Sequence, residues 1–115
     1  MRKQLQTSEY AKFVRSIDMT ESKPAATGVL HHVLSLCAES GEIAGKVTKQ
    51  FYRGKDDDFL VFRNKLIDET SDVLFHLVAL CNTLGLTMEE LAEYNHKKLT
   101  DRRNRGVLVG DGDNR

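Results

Sequence analysis

The sequence predicts an all-α protein: an antiparallel four-helix-type bundle with a short N-terminal helix, completed by association with further copies of the chain. Apolar residues recur at helical spacing along most of the 115 residues. Short polar segments separate the helical stretches. The third stretch is apolar on every side, and a helix of that kind needs burial all round. Because four short helices cannot enclose it, we expect a homodimer or a homotetramer.

The first two predicted helices are amphipathic. Residues 8–17 carry aromatic and aliphatic side chains at helical spacing, and a loop over 19–27 with the only proline of the chain follows them. The second helix is predicted over 27–52, and an apolar stripe along it indicates packing against the rest of the bundle. The stripe consists of Leu30, Val33, Leu34, Cys37, Gly41, Ala44 and Phe51.

The remaining elements are bounded by helix signals. The polar break 53–58 ends in aspartates that can cap the third helix, predicted over 59–84. Gly85 ends that helix, and the segment Thr87–Glu90 is a capping box that starts the fourth. We therefore expect a single domain over 1–115. Its parts are the N-terminal helix and loop, the helical core and the C-terminal tail, at 1–26, 27–104 and 105–115.

Composition excludes some classes of function. Lys and Arg number 17 and Asp and Glu number 17, so no net charge attracts nucleic acid or an anionic membrane. A small ligand or a protein partner is expected instead. Cys37 and Cys81 lie in apolar helical sequence and are expected to be reduced core thiols. Since the chain shows neither a leader pattern nor an apolar run that spans a bilayer, a cytoplasmic protein is expected.

Two pairs of carboxylates with helical spacing are the most informative feature of the chain. One pair is Glu39 and Glu42, and the other is Glu69 and Asp72. Residues three apart lie on one side of a helix, so each pair can offer oxygen atoms to the same small volume. Two facing helices then form one acidic pocket, and all-oxygen ligands suit hard cations such as Mg²⁺ or Mn²⁺.

Helical-wheel positions separate the two pairs. Glu69 and Asp72 fall within or beside the apolar stripe of the third helix, where burying an unpaired carboxylate is costly. Glu39 and Glu42 lie roughly opposite the apolar stripe of the second helix. An ordinary solvated face is therefore as good an explanation for the second-helix pair as a metal site.

The stretch from 27 to 102 resembles the MazG-like all-α nucleoside triphosphate pyrophosphohydrolases. The glycine before the second glutamate of the first pair matches the family, and segments 85–91 and 95–102 follow in the expected order. Ala38 departs from the pattern, because many members have a further glutamate there. The family motif, E-x-x-E and then E-x-x-D after twenty-six residues, is present as Glu39, Glu42, Glu69 and Asp72.

The resemblance implies hydrolysis of a nucleoside triphosphate between its α- and β-phosphates, to a nucleoside monophosphate and pyrophosphate. The four acids would hold Mg²⁺, with Mn²⁺ as a possible substitute, and the metal would activate a water. Glu39 and Glu42 are the catalytic candidates. The sequence does not decide which carboxylate is the general base; Glu42 is the first candidate, and the roles of the acids can be exchanged. Candidates for substrate binding are Asn95, Lys98 and Arg102 by the family pattern and, less directly, Lys49 and Arg53.

The basic residues and His76 have structural interpretations as well. Cations near the end of the fourth helix can stabilise its C-terminus through the helix dipole. His76, one turn after Asp72, either orients a ligand or is a hydrogen-bonded core histidine. Nucleic-acid binding is disfavoured, because aromatic stacking residues are missing from the basic strip apart from Tyr94.

Other classes of function compete with this one. A non-enzymatic helical adaptor would use the acidic face to bind a partner. A di-iron carboxylate bundle needs E-x-x-H on two helices, whereas this chain has one, Glu93–His96. A calcium loop at Asp111–Asp113 is rejected, because an EF-hand needs further ligands and a terminal glutamate.

Overall fold

The computed structural model describes residues 3–110, 112 and 115, and its regular structure is entirely helical there. The all-α class predicted from the sequence is confirmed. In chain order the helices are α1 (Thr7–Ile17), α2 (Ala25–Tyr52), α3 (Phe59–Leu84) and α4 (Met88–Asn104).

Helices α2 and α3 form a long antiparallel hairpin that is the body of the subunit. The connecting loop starts α3 with Asp58, whose side chain accepts a hydrogen bond from the Val61 backbone N–H. Helix α2 begins two residues earlier than predicted, at Ala25, directly after Pro24 at the N-cap; Ala25 and Ala26 are strong helix formers. The boundaries of α3 agree with the prediction.

Helix α1 packs against the C-terminal half of α3. The contact is built on Val14, Val78 and Ala79, each at most 1% exposed. Asn82 fixes the position of α1 by donating a hydrogen bond of 3.1 Å from its side chain to the backbone carbonyl of Ala11. The short N-terminal helix thus covers the end of the hairpin that lies away from the α2–α3 loop.

Helix α4 leaves the hairpin at a steep angle. Gly85 ends α3 with a φ of 74°, a left-handed conformation that favours glycine. The capping box predicted at Thr87 and Glu90 is present with both of its hydrogen bonds. Together these signals turn the chain by 93° between α3 and α4, so α4 does not lie antiparallel to α3 within one subunit.

The subunit is more open than a compact domain of its size. Its radius of gyration is 17.4 Å, whereas about 13 Å is expected for 115 residues. Its accessible surface is 8796 Å², against roughly 6,300 Å² for a compact monomer of this mass. Apolar stripes of both hairpin helices remain uncovered. Exposed members are Leu30, Val33 and Leu34 on α2 and Leu60, Ile67 and Leu74 on α3.

One prediction about the core is wrong. Cys81 is buried as expected, but Cys37 is exposed, although both thiols are free. Cys37 follows Leu30 and Leu34 on the stripe of α2 that α3 does not cover, which explains its exposure.

In the described part of the chain, no single helix is long and apolar enough to span a membrane. The pair α3 and α4 reaches that length and apolar character only when the two helices, bent against each other, are taken together.

The predicted tail falls partly outside the described residues. Positions 111, 113 and 114, which include both aspartates of the rejected calcium loop, are not among them.

Candidate metal and phosphate site

Three of the four predicted carboxylates converge between the two helices of the hairpin. An oxygen atom from each of Glu39, Glu69 and Asp72 lies within 4.8 Å of the other two. Glu39 and Glu69 are half-buried and Asp72 is exposed. The antiparallel course of α2 and α3 brings Glu39 opposite the pair on α3, as the spacing argument requires.

Glu42 lies outside this group of three. Its side chain is exposed one helical turn further along α2, yet its charge still contributes to the field at Glu39. Partial burial, followed by the charges of Asp72, Glu69 and Glu42, raises the pKa of Glu39 above its ordinary value. The arrangement therefore stores electrostatic repulsion, which a bound cation or a proton relieves.

A cluster of three lysines adjoins the carboxylates on the side toward the α2–α3 loop; we call Lys46, Lys55 and Lys65 the basic cluster. Lys46 Nζ lies 3.8 Å from Glu69 Oε1, and Lys65 Nζ lies 2.6 Å from Asp57 Oδ2. A hydrogen bond from Lys65, and then its charge, lower the pKa of Lys55. These ammonium groups hold anions of the chain itself, Asp57 beside Lys65 and Lys55 and Glu69 beside Lys46.

Two of these lysines have a spacing signal in the sequence, although the carboxylate motif does not include them. Lys46 follows Glu42 by four residues, and Lys65 precedes Glu69 by four, so each lies on the same helix face as an acid of the motif. Lys55 could not be found in this way, because it belongs to the loop between the helices.

Tyr10 of α1 lies within electrostatic reach of Asp72. Burial and then the negative charge of Asp72 raise the pKa of the Tyr10 hydroxyl. The sequence had indicated only a packing role for this residue. Tyr10 packs against the core contact between α1 and α3, which fixes the position of its ring.

The predicted substrate-binding residues are spread over two regions. Lys49 and Arg53 are exposed near the end of α2. With a rise of about 1.5 Å per residue they lie roughly 15 and 21 Å along the helix from Glu39. Lys46, at 3.8 Å from Glu69, is therefore closer to the carboxylates than either of them.

Asn95, Lys98 and Arg102 all belong to α4, which points away from the hairpin. The helical rise and the 93° bend place the end of α4 about 25–30 Å from Asp72 within one chain. Asn95 is exposed and Lys98 is half-buried, whereas Arg102 is only 4% exposed. Lys98 and Arg102 both interact with neighbouring groups of their own chain.

The match to known proteins agrees with this geometry. The nucleotide pyrophosphohydrolase domain model of the MazG family matches residues 29–107. The chain belongs to the MazG family. It is also similar to the "Gene 37 protein" of Mycobacterium phage L5, with 37% identity over 89 residues that cover 76% of this chain and 77% of that protein. No solved structure matches it significantly.

Membership of the MazG family confirms the resemblance inferred from the motif and supports a nucleotide pyrophosphohydrolase. The matched region contains both acidic pairs, the basic cluster and α4. It excludes α1, so the contribution of Tyr10 is a feature of this chain outside the matched domain.

Proposed function

We propose that this MazG protein hydrolyses nucleoside triphosphates between the α- and β-phosphates, yielding a nucleoside monophosphate and pyrophosphate. The observation that carries the proposal is the convergence of Glu39, Glu69 and Asp72 within 4.8 Å beside the basic cluster. Carboxylates and ammonium groups side by side suit a substrate that arrives as a polyphosphate with a divalent cation.

The donor set fits Mg²⁺, with Mn²⁺ as a substitute. The three side chains offer only oxygen atoms, which hard cations prefer. Burial and then the neighbouring acids raise the pKa of Glu39, and a bound cation would offset both effects. When bound, the metal supplies positive charge to the phosphate oxygens and a coordinated water of lowered pKa. Glu39, Glu69 and Asp72 are the ligands in this proposal.

Glu42 is the proposed general base. It is exposed beside the three ligands and lies outside their group, so its carboxylate is available to accept a proton from the attacking water. Lys46 and Lys65 hold the phosphate oxygens, and Lys55 closes the site from the loop. These cations offset the negative charge that the triphosphate already carries, so their role is to bind it.

We further propose that the active form is a homodimer or a homotetramer. The surface of the subunit is larger than that of a compact monomer by more than 2,000 Å², and uncovered apolar stripes run along both hairpin helices. A second copy on these stripes can bring its own Asn95 and Lys98 to the carboxylates. A monomeric mass in light scattering at micromolar concentration would contradict this arrangement.

The decisive experiment is a panel of nucleoside triphosphates with Mg²⁺, in which pyrophosphate and orthophosphate are measured separately. Pyrophosphate and the monophosphate are expected in equal amounts. Glu69→Gln should abolish activity with little change in helix content, while Glu93→Gln on α4 is a matched control that should remain active. Orthophosphate as the sole product would disprove cleavage between the α- and β-phosphates.

The same experiment tests the other classes of function. An adaptor with an acidic face predicts no hydrolysis and tolerance of Glu69→Gln. For a di-iron enzyme, the one E-x-x-H motif is Glu93–His96, and it lies on α4, which turns away from the carboxylates. Activity of the iron-free protein with Mg²⁺ would exclude iron chemistry. The cytoplasmic location stays a prediction. The two free thiols are compatible with it.

A further inference from the structure

A second group of metal-ligating side chains lies on the same hairpin, toward the end covered by α1. One ring nitrogen from each of His31, His32 and His76 lies within 4.8 Å of the other two. His32 is 1% exposed, His76 is half-buried, and His31 is exposed. The ring centroids are 5.0 to 5.9 Å apart, so the three imidazoles surround a common point.

The nearest pair of nitrogens is already close to a chelating separation. His32 Nδ1 and His76 Nδ1 are 3.1 Å apart. Two nitrogens bound at about 2.0–2.1 Å to one tetrahedral Zn²⁺ lie roughly 3.3–3.4 Å from each other. Two facing Nδ1 atoms can share either a proton or a cation, and the distance suits both.

Asp18 fixes the orientation of the buried ring. Its Oδ2 lies 2.8 Å from His32 Nε2, and its side chain is 3% exposed. The other carboxylate oxygen accepts hydrogen bonds from the backbone N–H and the hydroxyl of Thr20, at 2.8 and 2.7 Å. A carboxylate partner holds the proton of His32 on Nε2, so Nδ1 presents a lone pair toward His76. This is the outer hydrogen bond that metal-bound histidines commonly make.

We propose that His31, His32 and His76 bind a divalent transition metal of the Zn²⁺ class, with Asp18 as a positioning residue. The third ligand, His31, faces solvent and leaves a fourth position open to water or a small ligand. Imidazole nitrogens favour Zn²⁺, Ni²⁺ and Cu²⁺ over Mg²⁺, so the site is chemically distinct from the carboxylates.

The histidine site shares no residue with the carboxylate site. The two sites are nearest on α3, where His76 follows Asp72 by four residues, or about 6 Å along the helix. His32 precedes Glu39 by seven residues on α2, which corresponds to about 10 Å along the helix. The proposal does not depend on triphosphate hydrolysis, since the residues and the preferred metals differ. The competing explanation is that His32 and His76 form only a hydrogen-bonded core pair.

The test is calorimetric titration of the metal-free protein with Zn²⁺, supported by the visible absorption of Co²⁺. The protein carries Cys37→Ser to remove an exposed thiol. The titration is made in excess Mg²⁺, which occupies the carboxylates, and one ion per chain is then expected, with tetrahedral Co²⁺ absorption. His31→Ala and His76→Asn should each weaken binding at least tenfold, whereas His96→Ala, on α4, should not change it.

Two further variants separate the proposal from its alternatives. Asp18→Asn offers an amide N–H to His32 Nε2, which moves the ring proton to Nδ1, so Zn²⁺ affinity should fall at least tenfold while helix content is kept. Glu69→Gln should leave Zn²⁺ affinity unchanged. Absence of saturable binding, or binding that survives His76→Asn and is lost in Glu69→Gln, overturns the proposal. His31→Ala keeps the test valid if buried substitutions impair folding, because His31 is exposed.

Discussion

Replacing Glu39 with glutamine should stabilise the metal-free protein and at the same time remove metal binding and activity. Glu39 lies within 4.8 Å of Glu69 and Asp72. At that separation each pair of charges repels by about 0.9 kcal/mol in bulk water and about 3.5 kcal/mol at an effective dielectric constant of 20. Because Glu39 is only half-buried, values near the lower limit apply, so neutralising it should gain about 1–2 kcal/mol in unfolding free energy.

The assay is urea unfolding in EDTA and in Mg²⁺, at several pH values. Burial and the neighbouring acids raise the pKa of Glu39 in the folded state. The folded state therefore holds this proton to higher pH than the unfolded state does, and stability falls as pH rises from the unfolded pKa through the folded one. Wild type should lose stability over this window, and Glu39→Gln should not.

Added Mg²⁺ should reverse the order of stability. A cation at one hundred times its dissociation constant stabilises the wild type by about 2.7 kcal/mol, whereas Glu39→Gln should gain little. Glu93→Gln is the control and should behave as wild type. The reasoning is refuted if Glu39→Gln is the less stable protein in EDTA at pH 7.5, or if Mg²⁺ stabilises both proteins equally.

Three further predictions concern other parts of the fold. Asp18→Ala removes a buried acceptor of three hydrogen bonds and should cost about 3–5 kcal/mol at pH 7 in urea unfolding. Burial alone would raise the pKa of Asp18, but these hydrogen bonds outweigh it and lower the pKa. Wild type should therefore lose the stability that Asp18 contributes as pH falls through that lowered pKa. Lys65→Ala and Lys55→Ala should each raise KM for triphosphate about tenfold in steady-state kinetics and leave kcat nearly unchanged, because these lysines bind phosphate. An unchanged KM would contradict this role. Gly28→Ala should destabilise, because its new Cβ meets a threonine hydroxyl at 3.0 Å, whereas Gly45→Ala has open space and should gain about 0.5–1 kcal/mol.

The local features of the fold were predictable because each depends on a short stretch of sequence. The capping box at Thr87, the left-handed end of α3 at Gly85 and the boundaries of α3 each depend on neighbouring residues only. The approach of Glu39 to the acids of α3 also followed from spacing, once two helices were assumed to face each other.

The rest depends on how distant segments meet, which spacing does not encode. Asp18, just after α1, contacts the buried His32 of α2. His32 in turn contacts His76 of α3, so the partner of His76 is a histidine. The exposure of Cys37 depends on which side of α2 meets α3, a rotation that an apolar stripe alone leaves undecided. Lys55 reaches the site only because the loop folds back beside Lys65.

The direction of α4 leads to the sharpest test of how the site is completed. Within one chain α4 carries Lys98 away from the carboxylates, so we predict that each site combines the acids of one subunit with Lys98 of another. Glu69→Gln and Lys98→Ala should each be inactive alone. When the two are unfolded, mixed equally and refolded as dimers, half of the dimers contain one chain of each kind, and one of their two sites is fully wild type. About one quarter of wild-type activity should then return. If both groups served the same site from one chain, no mixed dimer would hold an intact site, and mixing would restore nothing.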